Sequence, residues 1–382
     1  MKGRILSRAR TMFMCVLCTF GSFCGGRVEA AGETFRIGFI YSKTGRLAPY
    51  AKSVSQGAKL ALQLFRAEYP QYIQSVQMIA ADDESSASGA TKAGTRLLSK
   101  QEVDILVGSF SNTLNYHLLA LSKQYRIPLL MPRATDEMFL NQALAFSITP
   151  DDKRQGRMLA QFILKHLKLK QASLLIETDR LDTNRLLAGF QEEWAHDGAS
   201  LLGQWDFKPG QAALGPLFHD MATQKPPIIV FLGAAQHAPL ILDRAKQNGI
   251  QAPWLGGDAW DNESLLALAP ELPSAFFFSY FHKLDPQSSV QSFVQAYYDA
   301  YNAFPDQLAA EGFEATKIAL EAFLIQQKGE SQDLRKILET NSFQGIFGNA
   351  HFAADHTLLH AHPFFRAQDG KLRVLNRITL QD

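Results

Sequence analysis

Four short stretches of this chain gather the side chains that could hold a small charged molecule: residues 42–45, 109–115, 132–136 and 256–261. Each follows an apolar run and is rich in hydroxyls, amides or residues that start helices. In 109–115 and 132–136 a Ser, Thr or Asn precedes a helical pattern. The start of a helix presents unpaired backbone N–H groups and a positive dipole end, which together suit a carboxylate. Asp258, beside Trp260, supplies the opposite charge and could take an ammonium. The plainer alternative is that Ser111, Asn112, Thr113 and Thr135 only cap their helices.

Other chemistries find less support. Asp82-Asp83-Glu84 is a run of consecutive carboxylates at a strand end. Such groups point in different directions, so the run reads as structural rather than as an acid–base or metal cluster. His351, His356, His360 and His362 match no zinc-site spacing, and His360 and His362 are expected to flank a hairpin. No Gly-x-Ser-x-Gly elbow and no Walker-type phosphate loop occurs. Of the four tryptophans, Trp194, Trp205 and Trp254 read as core, whereas Trp260 is expected to face a cleft. An enzyme, a metal site and a bound cofactor are all unexpected.

These loops need a scaffold, and the periodicity supplies one. Apolar strand-like runs at 35–41, 76–81, 104–107, 128–131, 145–148, 172–177, 228–232, 254–257 and 275–280 are separated by amphipathic helical segments such as 91–98, 156–167, 186–194 and 238–247. A further helix opens at Pro49. Strands alternating with helices imply an α/β fold with parallel sheets covered on both faces. In such sheets ligands sit at the carboxyl ends of the strands. Residues 290–304 and 308–327 read as two long helices, and the last 40 or so residues as short strands ending in 371–378. The absence of a composition break suggests lobes joined by short crossings.

The first 30 residues read as a cleaved secretory signal. Lys2, Arg4, Arg8 and Arg10 precede an apolar stretch, and Val28-Glu29-Ala30 forms the exit. All three cysteines (Cys15, Cys18 and Cys24) fall in this segment, so the mature chain would have no disulfide. Losing Lys2, Arg4, Arg8, Arg10, Arg27 and Glu29 leaves 33 basic and 36 acidic residues, a net of −3. No basic patch for nucleic acid is visible. A periplasmic address follows as the expectation.

In order and spacing, TGRLAPYAKSVSQGAKLAL, DDESSASGATKAGTRLLSKQEVDILVGSFSN, IPLLMPRATDEMF, FLGAAQHAPLILDRAKQNGIQAPWLGGDAW and FGNAHFAADHTLLHAHPFFRAQDGKL resemble the leucine/isoleucine/valine-binding proteins, type I periplasmic receptors of ABC importers. The resemblance implies two doubly wound Rossmann-like lobes joined by three crossings. Lobe I would comprise residues 34–149 and 283–347, and lobe II residues 150–282 and 348–382. It implies a monomer that closes on an amino acid or related small molecule and delivers it to an inner-membrane permease. A sensing or envelope-regulatory protein of the same fold is the other reading. By the same resemblance Asn112, Thr113 and Thr135 would hold the ligand's carboxylate and Arg133 would offer its backbone carbonyl. Asp258 would take the ammonium and Tyr50 would wall the side-chain pocket. Two departures stand out: Asp182-Thr183 replaces an expected Tyr-Gly, and Ala235 an expected aromatic. Together they imply a roomier or more polar cleft.

Overall fold

The computed structural model describes residues 34–100, 102–178, 180–210, 214–261, 274–329, 331–369 and 371–379. The expected signal segment, with all three cysteines, lies outside them.

Two parallel sheets dominate, and they share one winding. In the first lobe β1 (Phe35–Tyr41), β2 (Val76–Asp82), β3 (Ile105–Val107), β4 (Leu129–Met131) and β5 (Ala145–Ser147) lie in the order β2-β1-β3-β4-β5. In the second, β6 (Gln171–Glu177), β7 (Ser200–Phe207), β8 (Ile229–Leu232), β9 (Trp254–Gly256) and β10 (Ala275–Phe278) repeat that pattern as β7-β6-β8-β9-β10. An antiparallel pair, β14 (His362–Gln368) and β15 (Lys371–Ile378), extends the second sheet beyond β10. Strand β7 has partly exposed or exposed residues up to its buried last residue, Phe207, and lacks the continuous apolar run that marks its neighbours.

The helices begin where local chemistry allows. Pro49 sits in the first turn of α1 (Ala48–Glu68), and the Ser86 hydroxyl caps α2 (Ala87–Ser99) by accepting from the Gly89 N–H at 3.0 Å. Asp151 caps α4 (Asp152–Gln161), which continues as a π-helical turn over Phe162–Leu167. Between them, α3 spans Asn112–Tyr125. The second lobe adds α5 (Leu181–His196), α6 (Gly215–Gln224) and α7 (Ala238–Gln247). The chain then returns to the first lobe through α8 (Ser288–Tyr301), α9 (Gln307–Gln327) and α10 (Leu334–Thr340).

Each sheet is covered on both faces. In the first lobe, α1, α8 and α9 bury one face and α2 and α3 the other. Burying a Phe or Leu side chain contributes roughly 1.5–3 kcal/mol, and such side chains fill both layers of both lobes. A small antiparallel sheet, β11 (Ser342–Gly345), β12 (Gly348–Phe352) and β13 (Leu358–Leu359), also packs on the first lobe. Phe343, Phe347, Ala350, Phe352 and Leu358 join its core. Residues 348–359, expected in the second lobe, therefore belong with the first: their apolar side chains face α9 and α10 rather than β14. The chain crosses between lobes three times, after β5, after β10 and after β13.

Candidate functional site

Both sheets point their carboxyl ends at the junction between the lobes, and the loops there carry the polar residues. On the first lobe the loop after β1 is pinned from below. Asp83 Oδ1 accepts from the Ser42 hydroxyl at 2.6 Å, and Asp82 accepts from the Thr44 hydroxyl at 2.7 Å. The Asp82-Asp83 pair thus fixes a loop, in line with the structural reading of that run. Burial raises the Asp83 carboxyl pKa, although the Ser42 contact opposes this.

The loops after β3 and β4 clasp each other. The Thr135 N–H donates to Asn112 Oδ1 at 3.0 Å, and Asn112 Nδ2 donates to the Thr135 hydroxyl at 3.1 Å. Asn115 Nδ2, buried one turn on, donates to the Arg133 carbonyl at 2.8 Å. That carbonyl, expected to meet a ligand, is already engaged by the protein. Thr113 is exposed on the first turn of α3.

Across the junction stands the second lobe's contribution. Asp258 lies in the short turn Asp258–Trp260 after β9, and its Oδ2 accepts from Arg133 Nη2 at 3.0 Å. Asp258 Oδ1 accepts from Gln155 Nε2 at 3.2 Å, and the same amide lies 3.0 Å from the Tyr280 hydroxyl. Arg133 Nε lies 3.7 Å from Glu311 Oε1 on α9, and the guanidinium carbon sits 5.4 Å from the centre of the Tyr280 ring. The partner expected for Asp258 was a ligand's ammonium; the partner present is Arg133. Burial alone would lower the Arg133 pKa, but Glu311 and Asp258 outweigh it and raise it. Burial pushes the Glu311 carboxyl up to about 7 against the pull of Arg133.

Further arginine–carboxylate pairs cross between the lobes. Arg185 Nη2 on α5 reaches Asp136 Oδ2 at 2.7 Å, and Arg154 Nη2 on α4 reaches Asp355 Oδ2 at 2.9 Å. The backbone N–H of Asp152 also donates to the Thr135 carbonyl at 2.9 Å. Asp152 is only 7% exposed. Its Oδ2 makes no hydrogen bond and lies 3.6 Å from Arg185 Nη1. Burial, then the charge of Asp258, raise this carboxyl to about 7.

A cavity of about 60 Å³ opens on the second lobe between the ends of β6 and β8, the point where its strand order reverses. Doubly wound sheets hold ligands at that point. Asp152, Gln155, Arg180, Asp182, Gly233 and Asp258 line it. Asp182, expected to meet the ligand as a polar replacement, is held by Arg180, whose Nε lies 3.1 Å from Asp182 Oδ1. Ala235 opens the single turn Ala235–His237 beside this cavity.

Two expected contacts fall elsewhere. Trp260 is fully buried in the second lobe's core, 6.1 Å from the Phe231 ring, and it packs so closely under Gly256 that a Cβ there would lie 2.1 Å from the indole. The Gly256-Gly257 pair turns the chain so that the indole points down while Asp258 points out. Tyr50 is 58% exposed on the first turn of α1 and does not line the cavity. His360, on the third crossing, and His362, which opens β14, were expected to flank a hairpin; their ring centres lie 3.9 Å apart, and His360 stacks on Phe347. Burial drives the His360 pKa down to about 3, and burial likewise drives that of His362 well below its ordinary value.

Residues missed by sequence reasoning are Asp152, Gln155, Arg185, Tyr280 and Glu311. Glu311 carried a signal, being a carboxylate set among Ala309, Ala310, Gly312 and Phe313.

Residues 34–371 match the family model described as "Periplasmic binding protein". The chain belongs to the periplasmic binding proteins. Solved structures agree with this binding protein in fold. The branched-chain amino acid transporter substrate binding protein LivJ from Streptococcus pneumoniae, in complex with isoleucine, is 22% identical with a TM-score of 0.70, over 91% of this chain and 100% of that one. A putative branched-chain amino acid ABC transporter protein from Rhodospirillum rubrum is 19% identical with a TM-score of 0.79, over 90% and 100%. A solute binding protein of an ABC transporter from R. palustris, in complex with benzoate, is 17% identical with a TM-score of 0.68, over 91% and 98%. A search of curated proteins found no match. No helix among the described residues is long and apolar enough to cross a membrane.

Proposed function

We propose that this binding protein is an extracytoplasmic receptor, housed in the periplasm, that captures a small organic solute between its lobes and delivers it to an ABC importer. The observation that carries the reading is the polar junction itself. Arg133 of one lobe meets Asp258 of the other, at the carboxyl ends of two sheets wound alike. Ligand contacts placed on both lobes couple binding to a change in the angle between them, and a ligand shifts that equilibrium by binding one state better.

The ligand is a small molecule bearing a carboxylate. Similar structures hold isoleucine in one case and benzoate in another, and a carboxylate is what those two molecules share. The partner is a membrane permease, and the receptor acts as a monomer without cofactor or catalysis. The aromatic wall expected from Tyr50 and from Ala235's position is replaced by Arg180, Asp182 and Thr183, which supports a polar pocket.

A thermal-shift screen of purified protein against amino acids and aromatic and aliphatic carboxylates tests this. Ligand at 100 times its dissociation constant adds about 2.7 kcal/mol of stability. No shift with any carboxylate would remove the receptor reading.

A further inference from the structure

Between the lobes lies one place built for a cation, and the protein fills it with its own side chain. Asp258 from the second lobe and Glu311 from the first flank it at 3.0 and 3.7 Å from Arg133 nitrogens, and the Tyr280 ring lies beneath at 5.4 Å. Glu311 and Tyr280 are each only 2% exposed, so water has little access on their side of the guanidinium. Of the other acceptors, Asp258 Oδ1 is engaged by Gln155 and the Arg133 carbonyl by Asn115, while Glu311 Oε2 has no hydrogen-bond donor.

From this we infer that Arg133 is a resident cation that determines specificity, barring ligands that carry an ammonium and leaving the cleft to small carboxylates without one. An ammonium brought to Asp258 would stand beside a guanidinium already paired there, and like charges so close repel. A carboxylate is received instead. A guanidinium has five N–H donors in a planar fork. The contacts above use Nη2 and Nε, and Nη1 is the donor left for a ligand's oxygen. The ligand class rests on the receptor reading proposed above, whereas the place of Arg133 does not.

The test uses the full mature chain with Arg133→Ala, and Arg133→Gln as a second variant that keeps side-chain bulk if the first fails to fold. Methylguanidinium chloride, against matched sodium chloride, should raise the melting temperature of Arg133→Ala saturably at millimolar concentration and leave the unsubstituted protein unmoved. By calorimetry benzoate should bind the unsubstituted protein and L-isoleucine should not. Either variant should take L-isoleucine at least about tenfold more tightly than the unsubstituted protein does. Rescue by methylguanidinium with no binding of benzoate or isoleucine would uphold the resident cation and sink the receptor's ligand class. Binding of L-isoleucine to the unsubstituted protein, or equal effects of methylguanidinium on it and on the variant, would overturn the inference.

Discussion

Asp258 shows how much a single carboxylate depends on its company. It is about a quarter exposed, yet it holds Arg133 and Gln155 at once. Breaking a fully buried pair costs 3–5 kcal/mol, and partial solvation lowers that figure. Asp258→Asn should therefore destabilise by about 1–3 kcal/mol, because Arg133 keeps only the more distant Glu311. A double-mutant cycle with Arg133→Gln in urea unfolding should give a coupling near that size. Strictly additive effects would mean the two side chains only fill space. Both residues were legible in the sequence as loop residues at strand ends. Their pairing was not, since it joins positions 125 apart and depends on how two lobes meet.

Helix contacts set the shape of each lobe, and both lobes use the same device. A Cβ on Gly57 of α1 would lie 1.9 Å from the Ala309 carbonyl oxygen, and one on Gly312 of α9 would lie 2.3 Å from that of Val54. In the second lobe, a Cβ on Gly156 of α4 would lie 2.0 Å from the Leu186 carbonyl oxygen, and one on Gly189 of α5 would lie 1.8 Å from that of Lys153. The neighbouring atoms are backbone and cannot swing aside. Gly57→Ala should lower stability by about 1–3 kcal/mol in urea unfolding, and an unchanged midpoint would show that the helices part freely. The amphipathic patterns announced these helices, but not their separation, which the facing residue decides.

Helix α9 also carries Glu314, fully buried, with Oε2 accepting from the Ile346 N–H at 2.8 Å. Burial raises its pKa from 4.5 to about 7, so its contribution is fully present below pH 4.5 and is lost as pH rises through 7. Glu314→Gln keeps the neutral form at every pH. The variant should match the unsubstituted protein near pH 5 and exceed it by about 1–3 kcal/mol near pH 8.5. Equal stability differences at the two pH values would show that this carboxyl titrates normally.

At the scale of the whole molecule, arginine–aspartate pairs span the junction and differ in exposure. Arg154 and Asp355 are 8% and 18% exposed, against 26% and 22% for Arg185 and Asp136. Salt screens exposed pairs more than sheltered ones, with a Debye length of about 3 Å at 1 M. Arg185→Ala should widen the distance between fluorophores placed one on each lobe at low salt, and the difference from the unsubstituted protein should shrink at about 1 M salt. Arg154→Ala should widen it with less salt dependence. Unchanged transfer efficiency in both variants would mean the crossings alone fix the lobes.

Alternation of apolar runs with amphipathic segments determined the fold class from sequence alone, because periodicity is a short-range property that each segment carries itself. The loops at 109–115, 132–136 and 256–261 were likewise visible, since strand ends are marked locally. Tertiary structure decided the rest. It sent Trp260 into the core and Asp258 to the junction, though they are two residues apart, because the turn after β9 faces them in different directions. It placed residues 348–359 with the first lobe, where α9 and α10 offered an apolar face. It also brought Arg133, Glu311, Gln155 and Tyr280 around Asp258, an arrangement of charge and distance that no local pattern encodes.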